Sequence, residues 1–300
     1  MTLRKISFLI RISESPQEKN SDALAHLLEE ARASMEEDGA ATSLVRWGDP
    51  LPAPDRSELW ISDFREGLAF LKENGRFFAA WRHPFNKDED LSPAAYTLEN
   101  LPQIDMDDFV KVWEREAGLP WTILKTDRLL LREFADTEDD LDALYRVYND
   151  PDALRFLTPP AADRDEERAA LSLYLERVYR FYGFGSWAVL LRDTGEIIGR
   201  AGFGLPDPED TSFTPSLGYL IGAGFRGRGY ASEICRAIMN YGFRVLGFDF
   251  VKASADKDNT PSVRLLMSLG FRQSGSLTGE DGRETLRFLL ENPDRTKSSG

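Results

Sequence analysis

The sequence predicts an α/β protein made of two successive α/β regions. In the first half, strand-like alternation and helix-like spacing of apolar residues follow one another in turn. In the second half, several strand patterns succeed one another between amphipathic helices. The 300 residues are 42% hydrophobic and exceed the usual size of one domain, so we expect two hydrophobic cores.

The first region, residues 1–120, is predicted to be a small α/β domain. Its predicted elements are a strand over 5–12, a helix over 21–39, a strand over 41–47, the short strand ELWIS, a helix over 63–74, a strand through Phe77 and Ala80, and a helix over 107–117. Gly39 and Gly75 are typical helix stops. Gly118 and Pro120 mark the predicted boundary.

Asp63, directly after the short strand, allows two interpretations. An aspartate in this place resembles the nucleophile of haloacid-dehalogenase or receiver proteins, but aspartate is also a preferred helix N-cap. Because no second acidic residue stands two positions on and no evident lysine completes a phosphate site, we favour the cap.

The second region is predicted to be a domain over residues 121–292. Its elements are a strand over 129–134, helices over 138–148 and 165–182, strands over 186–191, 197–204 and 216–222, a helix over 229–246, a strand over 250–255, a helix over 261–269, and strands over 271–277 and 284–290. The last residues, 293–300, end in TKSSG and are predicted to be a flexible tail.

Charge and composition argue against several classes of function. The net charge is −14 and both halves are acidic, which disfavours a nucleic-acid partner, whereas a cationic substrate fits. The absence of a leader and of any run of about 18 apolar residues predicts a cytoplasmic protein without a membrane partner. The single cysteine, Cys235, is expected to be a buried structural thiol. His26 and His83 leave little for a metal site or a Ser-His-Asp triad.

The stretch LGYLIGAGFRGRGYASEICRAIMNYGF, residues 217–243, joins an apolar strand to a helix through two arginines and two glycines. The first amides of a helix carry partial positive charge, and glycines let the backbone approach a ligand closely. Arg226 and Arg228 would add positive charge. The pattern predicts a phosphate or pyrophosphate cradle, although a plain tight turn explains the glycines equally well.

Four motifs together resemble the GNAT N-acetyltransferase superfamily, especially its RimJ/RimL-type branch. They are TDRLLLREF (126–134), IIGRAGFG (197–204), the spacing Arg226-x-x-Gly229-x-Ala231 after LGYLIG, and NTPSVRLLMSLGF (259–271). The resemblance spans residues 126–290. It implies a mixed central sheet with two splayed strands, flanked by helices. It further implies direct transfer of the acetyl group of acetyl-CoA, in a ternary complex, to a primary amine of a protein N-terminus or a small molecule.

The resemblance also implies roles for individual residues. The backbone amides of one loop would hold the pyrophosphate of acetyl-CoA; the loop comprises Arg226, Gly227, Arg228, Gly229, Tyr230, Ala231 and Ser232. Ile221 would present its amide to the thioester carbonyl, Asn259 would hold the pantetheine, and Ser262 would lie near the sulfur. A local alternative is that Asn259 and Ser262 form a helix cap together with Pro261.

Both proton-handling residues that are common in the family are absent from their expected places. Ser216 stands where relatives commonly carry glutamate, and the last helix offers Met267 and Leu266 where many carry tyrosine. Three alternatives stay open: Glu209 or Asp210 acts through water, Ser262 protonates the thiolate, or the amine arrives neutral. If the losses are real, the chain binds acetyl-CoA without turning it over.

The aromatic run YRFYGFGSW, residues 179–187, follows the second predicted helix of this region. Family position makes it a candidate wall of the acceptor site, where rings attract an ammonium group, and Tyr182 and Trp187 are the candidates. The role of the first region stays open between dimerisation as a homodimer, an acceptor-site lid, and regulation.

Overall fold

The computed structural model of the chain describes residues 2–11, 21–205, 214–279 and 281–295. It divides into two compact units, Met1–Trp121 and Thr122–Gly300. The segment TKSSG and the carboxylates Glu209 and Asp210 lie outside the described residues. Within the described ranges, no helix has the length and apolar character needed to cross a membrane.

The first unit contains a five-stranded parallel sheet in the order β2-β1-β3-β4-β5. Its strands are β1 (Lys5–Ile10), β2 (Ala41–Arg46), β3 (Glu58–Ser62), β4 (Phe78–Arg82) and β5 (Thr97–Glu99), and its helices are α1 (Ser21–Glu37), α2 (Arg65–Glu73) and α3 (Met106–Glu116). Apolar residues of α1 and α3 share one core cluster with the sheet, and those of α2 share another. Covering helices on both faces explain why β3 is buried throughout.

The interpretation of Asp63 as a helix cap is wrong. The N-cap position of α2 is Phe64, and no side chain caps this helix. Asp63 is buried and its Oδ2 accepts a hydrogen bond from Nε2 of His83 at 3.0 Å, while Nδ1 of His83 accepts from the backbone N–H of Phe85 at 3.2 Å. Asp63 therefore joins the loops that follow the adjacent strands β3 and β4.

The second unit contains an eight-stranded mixed sheet in the order β12-β13-β11-β10-β9-β8-β7-β6. Its strands are β6 (Thr122–Lys125), β7 (Leu129–Arg132), β8 (Ser186–Leu191), β9 (Ile197–Gly204), β10 (Ser216–Ile221), β11 (Phe250–Asp256), β12 (Arg272–Thr278) and β13 (Glu284–Glu291). The predicted order of elements is confirmed, and β6 is an addition that the sequence pattern did not indicate.

Six helices accompany this sheet among the described residues: α4 (Glu138–Tyr148), α5 (Pro151–Leu154), α6 (Arg164–Tyr174), α7 (Arg180–Tyr182), α8 (Tyr230–Arg244) and α9 (Thr260–Ser268). The short helix α5 was not predicted. A π-helical turn, Leu175–Tyr179, joins α6 to α7, so the helix predicted over 165–182 changes its winding before its end. Cys235 of α8 is fully buried, as predicted, and burial raises the pKa of its thiol.

The parallel neighbours β10 and β11 separate almost at once. Their register joins only Ser216 and Lys252, although β10 continues to Ile221 and β11 to Asp256. On its other side β10 pairs with β9 along its whole length. The predicted splay is confirmed, and it leaves backbone groups of β10 facing a gap in the sheet.

Candidate functional site

The loop between β10 and α8 leaves the start of α8 without a side-chain cap. Gly227 and Gly229 have φ values of 74° and 81°, a left-handed conformation that strains other residues. Gly229 occupies the N-cap position and makes no side-chain hydrogen bond. The loop is exposed from Arg226 to Gly229. Unsatisfied amides and the helix dipole therefore present partial positive charge at an accessible helix end.

The Arg226 side chain does not add free charge to this loop, contrary to the sequence-based expectation. Its guanidinium forms an ion pair with Asp150, and its Nε donates to the carbonyl oxygen of Ile221 at 3.0 Å. Asp150 is buried and also caps α5 by accepting from the N–H of Asp152. Arg226 therefore fixes the end of β10 against the start of α5. Arg228 is exposed and lies over the Phe225 ring at 5.9 Å.

Arg128, in the TDRL motif, fixes the same loop from β7. Its Nη1 donates to the carbonyl of Arg228 at 3.0 Å, and its Nε donates to Glu233 at 2.7 Å. Burial raises the pKa of the Glu233 carboxyl, but hydrogen bonds from Thr126 and Arg128 outweigh it and bring the pKa below its usual value. The only carboxylate in the first turn of α8 is thus neutralised by an arginine.

The backbone N–H of Ile221 points into the gap between β10 and β11. Gly222 donates to the carbonyl of Ile198 at 2.9 Å, so these two residues form a hydrogen-bonded pair of the antiparallel ladder. Such pairs alternate along a ladder, and the preceding pair, Ile221 with Gly199, is therefore non-bonded. Because β11 has already diverged, the Ile221 amide has no strand partner there.

The hydroxyl groups of Tyr219 and Ser262 lie close together near this gap. Tyr219 lies two residues before Ile221 and shares its face of the strand, and its hydroxyl lies 2.9 Å from Oγ of Ser262 on α9. Burial raises the pKa of Tyr219 to about 12, although the Ser262 hydrogen bond opposes this. The sequence analysis missed Tyr219; its place in LGYLIG, two residues before Ile221, was the available signal.

Asn259 acts as a helix cap. Its side-chain oxygen accepts from the N–H of Ser262 at 3.3 Å, and Pro261 lies in the first turn of α9. The capping alternative is therefore confirmed. The bond from Ser262 holds the Asn259 side chain in its capping orientation.

Ser216 lies at the far end of β10 from Ile221. Five residues of extended strand span about 16 Å, so Ser216 and the Ile221 amide are too far apart to contact one small group. Ser216 pairs with Gly204 and Lys252 where the sheet is still closed. The structure therefore does not bring Ser216 together with the other predicted site residues.

Trp187 does not line an acceptor site, contrary to the sequence-based expectation. Its side chain is fully buried, and its ring makes edge-to-face contacts with Phe203 and Tyr241 at 6.1 and 6.0 Å. Tyr182 is half-buried and lies against Phe181 and Phe184. The aromatic run mainly builds the core, because Tyr179, Phe184 and Trp187 belong to the core cluster of the second unit.

An open cavity of about 380 Å³ lies at the C-terminal end of α4. It is lined by residues at the end of α4 and in the segment before α6: Tyr145, Arg146, Tyr148, Asn149, Pro159, Pro160, Ala161 and Ala162. Tyr148 packs against a cluster of Val147, Ala153 and Leu220. Tyr148 thus links the wall of the cavity to Leu220, the residue before Ile221.

Comparisons with known proteins agree with this architecture. Residues 128–272 match the family model described as an acetyltransferase (GNAT) domain. The chain is 30% identical over 155 residues to the uncharacterized N-acetyltransferase p20 of Bacillus licheniformis, covering 51% of this chain and 84% of that protein. It is also 30% identical over 155 residues to the uncharacterized N-acetyltransferase YoaA of Bacillus subtilis, covering 52% and 85%.

A solved structure shares the fold at low sequence identity. The ribosomal-protein-S5-alanine acetyltransferase of Vibrio fischeri superposes with a TM-score of 0.50 at 14% identity, covering 57% of this chain and 97% of that one. The family match over residues 128–272 contains the splayed strands β10 and β11 and the glycine loop. The chain thus belongs to the GNAT family and is an acetyltransferase.

Proposed function

We propose that the second unit transfers the acetyl group of acetyl-CoA directly to a primary amine in a ternary complex. The unpaired N–H of Ile221 carries this proposal. It lies at a gap in the sheet, at the end of the strand whose following loop leads to the uncapped N-terminus of α8. An unsatisfied amide between two separated strands is a place where a polar ligand can bind. Such a ligand would accept the hydrogen bond of the amide and fill the gap between the strands.

The residues of the loop fit the pyrophosphate of acetyl-CoA. The amides from Arg226 to Ser232 would hold it, with the two left-handed glycines allowing close approach of the backbone. The bound cosubstrate supplies an activated acyl group and a thiolate leaving group. Arg128 supports binding indirectly, because it neutralises Glu233, whose free carboxylate would repel phosphate oxygens.

The Ile221 amide would donate to the carbonyl oxygen under attack. Such a donor strengthens as negative charge develops on that oxygen, and in other enzymes one donor contributes roughly 3 kcal/mol. The Ile221 carbonyl is fixed by Arg226, so its peptide plane and neighbouring backbone are held before substrate arrives. A fixed donor costs no reorganisation when the reaction occurs.

Tyr219 and Ser262 would stabilise the departing thiolate by hydrogen bonding. With a tyrosine pKa of about 12 against roughly 8.5 for a thiol, full proton transfer from Tyr219 is uphill by about 5 kcal/mol. The hydroxyl pair is therefore a donor of hydrogen bonds rather than of a proton. It takes the place of the tyrosine that the family commonly carries in the last helix.

The acceptor that fits best is an α-amine. Asp150, the described carboxylate that reaches Ile221 through Arg226, is held in an ion pair and is not free to act as a base, so we take the amine to arrive neutral. Near pH 7.5 a peptide α-amine with a pKa of about 8 is neutral in roughly a quarter of molecules, whereas a lysine-type amine is neutral in about one in a thousand. The cavity beside Tyr148 would receive it, and the RimJ/RimL-like motifs agree with a protein N-terminus.

The two units are proposed to be separate domains, residues 1–120 and 121–292, with 293–300 as a tail. Each unit has its own hydrophobic clusters, and those clusters share no residue. The acetyl transfer is assigned to the second domain alone.

Thiol release from acetyl-CoA tests the proposal. The protein is added to acetyl-CoA with peptides of varied N-termini, polyamines, aminoglycosides and free amino acids, and released thiol is titrated. We expect release with peptides. Acetyl-CoA that raises the melting temperature without thiol release for any amine would instead indicate a binding protein.

Gly229→Glu tests the position of the cofactor loop, with Gly229→Gln as the size-matched control. A Cβ at Gly229 meets only Arg128 Nη2 at 3.5 Å, so space is available and both variants share the strain of a φ of 81°. The added carboxylate should weaken acetyl-CoA binding well beyond the glutamine variant. Equal affinities for the two variants would refute the placement of the pyrophosphate.

A further inference from the structure

Arg200 is a half-buried cation that forms no ion pair with the described residues. It lies on β9 directly opposite Leu220, the residue before Ile221, and therefore on the face of the sheet that Leu220 shares with α4. Other arginines of this unit in comparable places, Arg132 and Arg226, are paired with Asp140 and Asp150. Arg200 instead contacts neutral oxygens.

Two hydrogen bonds hold the Arg200 guanidinium in one orientation. Its Nε donates to Oγ of Ser186 at 2.9 Å, and its Nη1 donates to the hydroxyl of Tyr148 at 3.0 Å. Tyr148 also lines the cavity at the end of α4. The remaining nitrogen, Nη2, makes no hydrogen bond within the part of the chain that the structure describes.

Ser186 is itself fixed by two tyrosines. The hydroxyl of Tyr174 accepts from the Ser186 N–H at 2.8 Å, and the hydroxyl of Tyr179 donates to the Ser186 carbonyl at 2.5 Å. The π-helical turn between them lets both hydroxyls reach one residue. A Cβ at Gly185 would lie 2.7 Å from the Tyr174 hydroxyl, so glycine is required there. The frame around Arg200 is rigid before ligand binds.

We infer that Arg200 binds an oxyanion of the acceptor, and that the acceptor is a peptide whose first or second residue carries a carboxylate. A half-buried guanidinium that forms no ion pair loses hydration, and a carboxylate bound to it restores hydrogen bonding. The cavity of about 380 Å³ suits one or two residues. The net charge of −14 does not favour an acidic acceptor, so we assign the discrimination to contact with the guanidinium.

This inference rests on the proposed function, since it takes the cavity beside Tyr148 as the acceptor site. Isosteric peptide pairs test it: N-terminal Glu against Gln, Asp against Asn, and the same pairs at the second position. We expect kcat/KM for the acidic member to be at least about tenfold higher in the wild type. Arg200→Gln should abolish this preference and leave the affinity for acetyl-CoA unchanged.

Three further variants make the result specific. Arg177→Gln removes one exposed positive charge and should keep the full preference. Arg200→Lys should keep part of it. Tyr148→Phe deletes only the hydroxyl that orients Arg200 and should reduce the preference severalfold, which preserves the test if Arg200→Gln does not fold.

Equal kcat/KM values for acidic and amide peptides in the wild type would overturn the inference. It would also be overturned if Arg200→Gln lowered kcat/KM equally for the acidic and the amide peptide of each pair. A larger preference for phosphoserine over serine than for Glu over Gln would overturn the carboxylate assignment. If no peptide releases thiol, the binding of the same peptide pairs is measured by calorimetry in the presence of coenzyme A. This measurement tests the role of Arg200 independently of turnover. Tighter binding of acidic peptides that depends on Arg200 supports the inference without turnover, and its absence rejects it.

Discussion

Arg226 donates a hydrogen bond from Nε to the carbonyl oxygen of Ile221 at 3.0 Å, and its guanidinium pairs with Asp150. One side chain thereby connects the end of β10 to the start of α5. Asn149, the neighbour of Asp150, lines the cavity, whereas Ile221 carries the proposed oxyanion donor. This pair therefore joins the proposed acceptor side of the site to the proposed acetyl side.

Asp150→Asn should lower kcat more than it raises the KM for acetyl-CoA. Loosening Arg226 lets the Ile221 amide shift, and small misplacements of such donors cost about tenfold in rate. Because the Arg226 side chain is 41% exposed, solvent screens the pair, and we expect about 1 kcal/mol less free energy of unfolding. Steady-state kinetics and urea unfolding measure both. Asp152→Asn, exposed on the same helix, is the control; a loss of stability with unchanged kcat would contradict the prediction.

Arg128→Gln should weaken acetyl-CoA binding about fivefold. The substitution frees the Glu233 carboxylate in the first turn of α8, where a negative charge repels phosphate. The double variant Arg128→Gln with Glu233→Gln removes both charges and should regain most of the affinity. Calorimetric titration with coenzyme A provides the measurement. If the double variant binds as weakly as the single one, the role of Arg128 is to shape the loop through the Arg228 carbonyl and not to neutralise Glu233.

Tyr219→Phe should lower kcat about tenfold to a hundredfold without changing acetyl-CoA affinity, because it removes a donor to the leaving thiolate. Below pH 10 the shape of the pH–rate profile should stay the same, since Tyr219 with a pKa of about 12 remains protonated there. Ser262→Ala provides the second half of a double-mutant cycle. Additive effects of the two substitutions would show that the hydroxyls act separately.

The raised pKa of Tyr219 also makes the free energy of unfolding depend on pH. The unfolded chain ionises this tyrosine near pH 10, whereas the folded chain holds the proton to about 12, so the contribution to folding is complete below pH 10 and is lost as pH rises toward 12. The free energy of unfolding should therefore fall less steeply over this range in Tyr219→Phe than in the wild type. Parallel curves for the two proteins would contradict the buried, protonated state.

Asp63→Asn should leave acetyl transfer unchanged and destabilise the first unit. The carboxylate accepts a buried hydrogen bond from His83, and a hydrogen bond to a charged group contributes about 2 kcal/mol. Chemical unfolding followed by tryptophan fluorescence measures the loss, with the exposed Asp49→Asn as control. A phosphatase-like activity that disappears in Asp63→Asn would instead restore the nucleophile interpretation.

The sequence predicted the elements of the second unit well because their amphipathic periods are strong. The bounds of α4, β8 and β9 match the predicted ranges, and the splay was expected from the motifs. The glycine loop before α8 was also expected, and Gly227 and Gly229 have positive φ values there. The sequence did not predict α5 and β6, because elements of four residues are too short to show a repeating pattern of apolar residues.

Partners that are distant in sequence could not be predicted. Asp150 meets Arg226 across 76 positions, and Tyr219 meets Ser262 across 43, so neither contact leaves a local signal. The Asp63 assignment failed for the same reason, because His83 of the next loop replaces the helix as its partner. Trp187 was assigned to a surface because its burial depends on Phe203 and Tyr241 in other elements.

The single register contact between β10 and β11 also divides the second unit into two blocks of backbone hydrogen bonding. Strands β6 to β10 form one continuous ladder and β11 to β13 another, joined at Ser216 and Lys252. Each block can open without breaking the ladder of the other, so amide hydrogen exchange should show two separate protection levels in the free protein. A ligand that bridges the gap would join the blocks into one cooperative unit, and the two protection levels would converge.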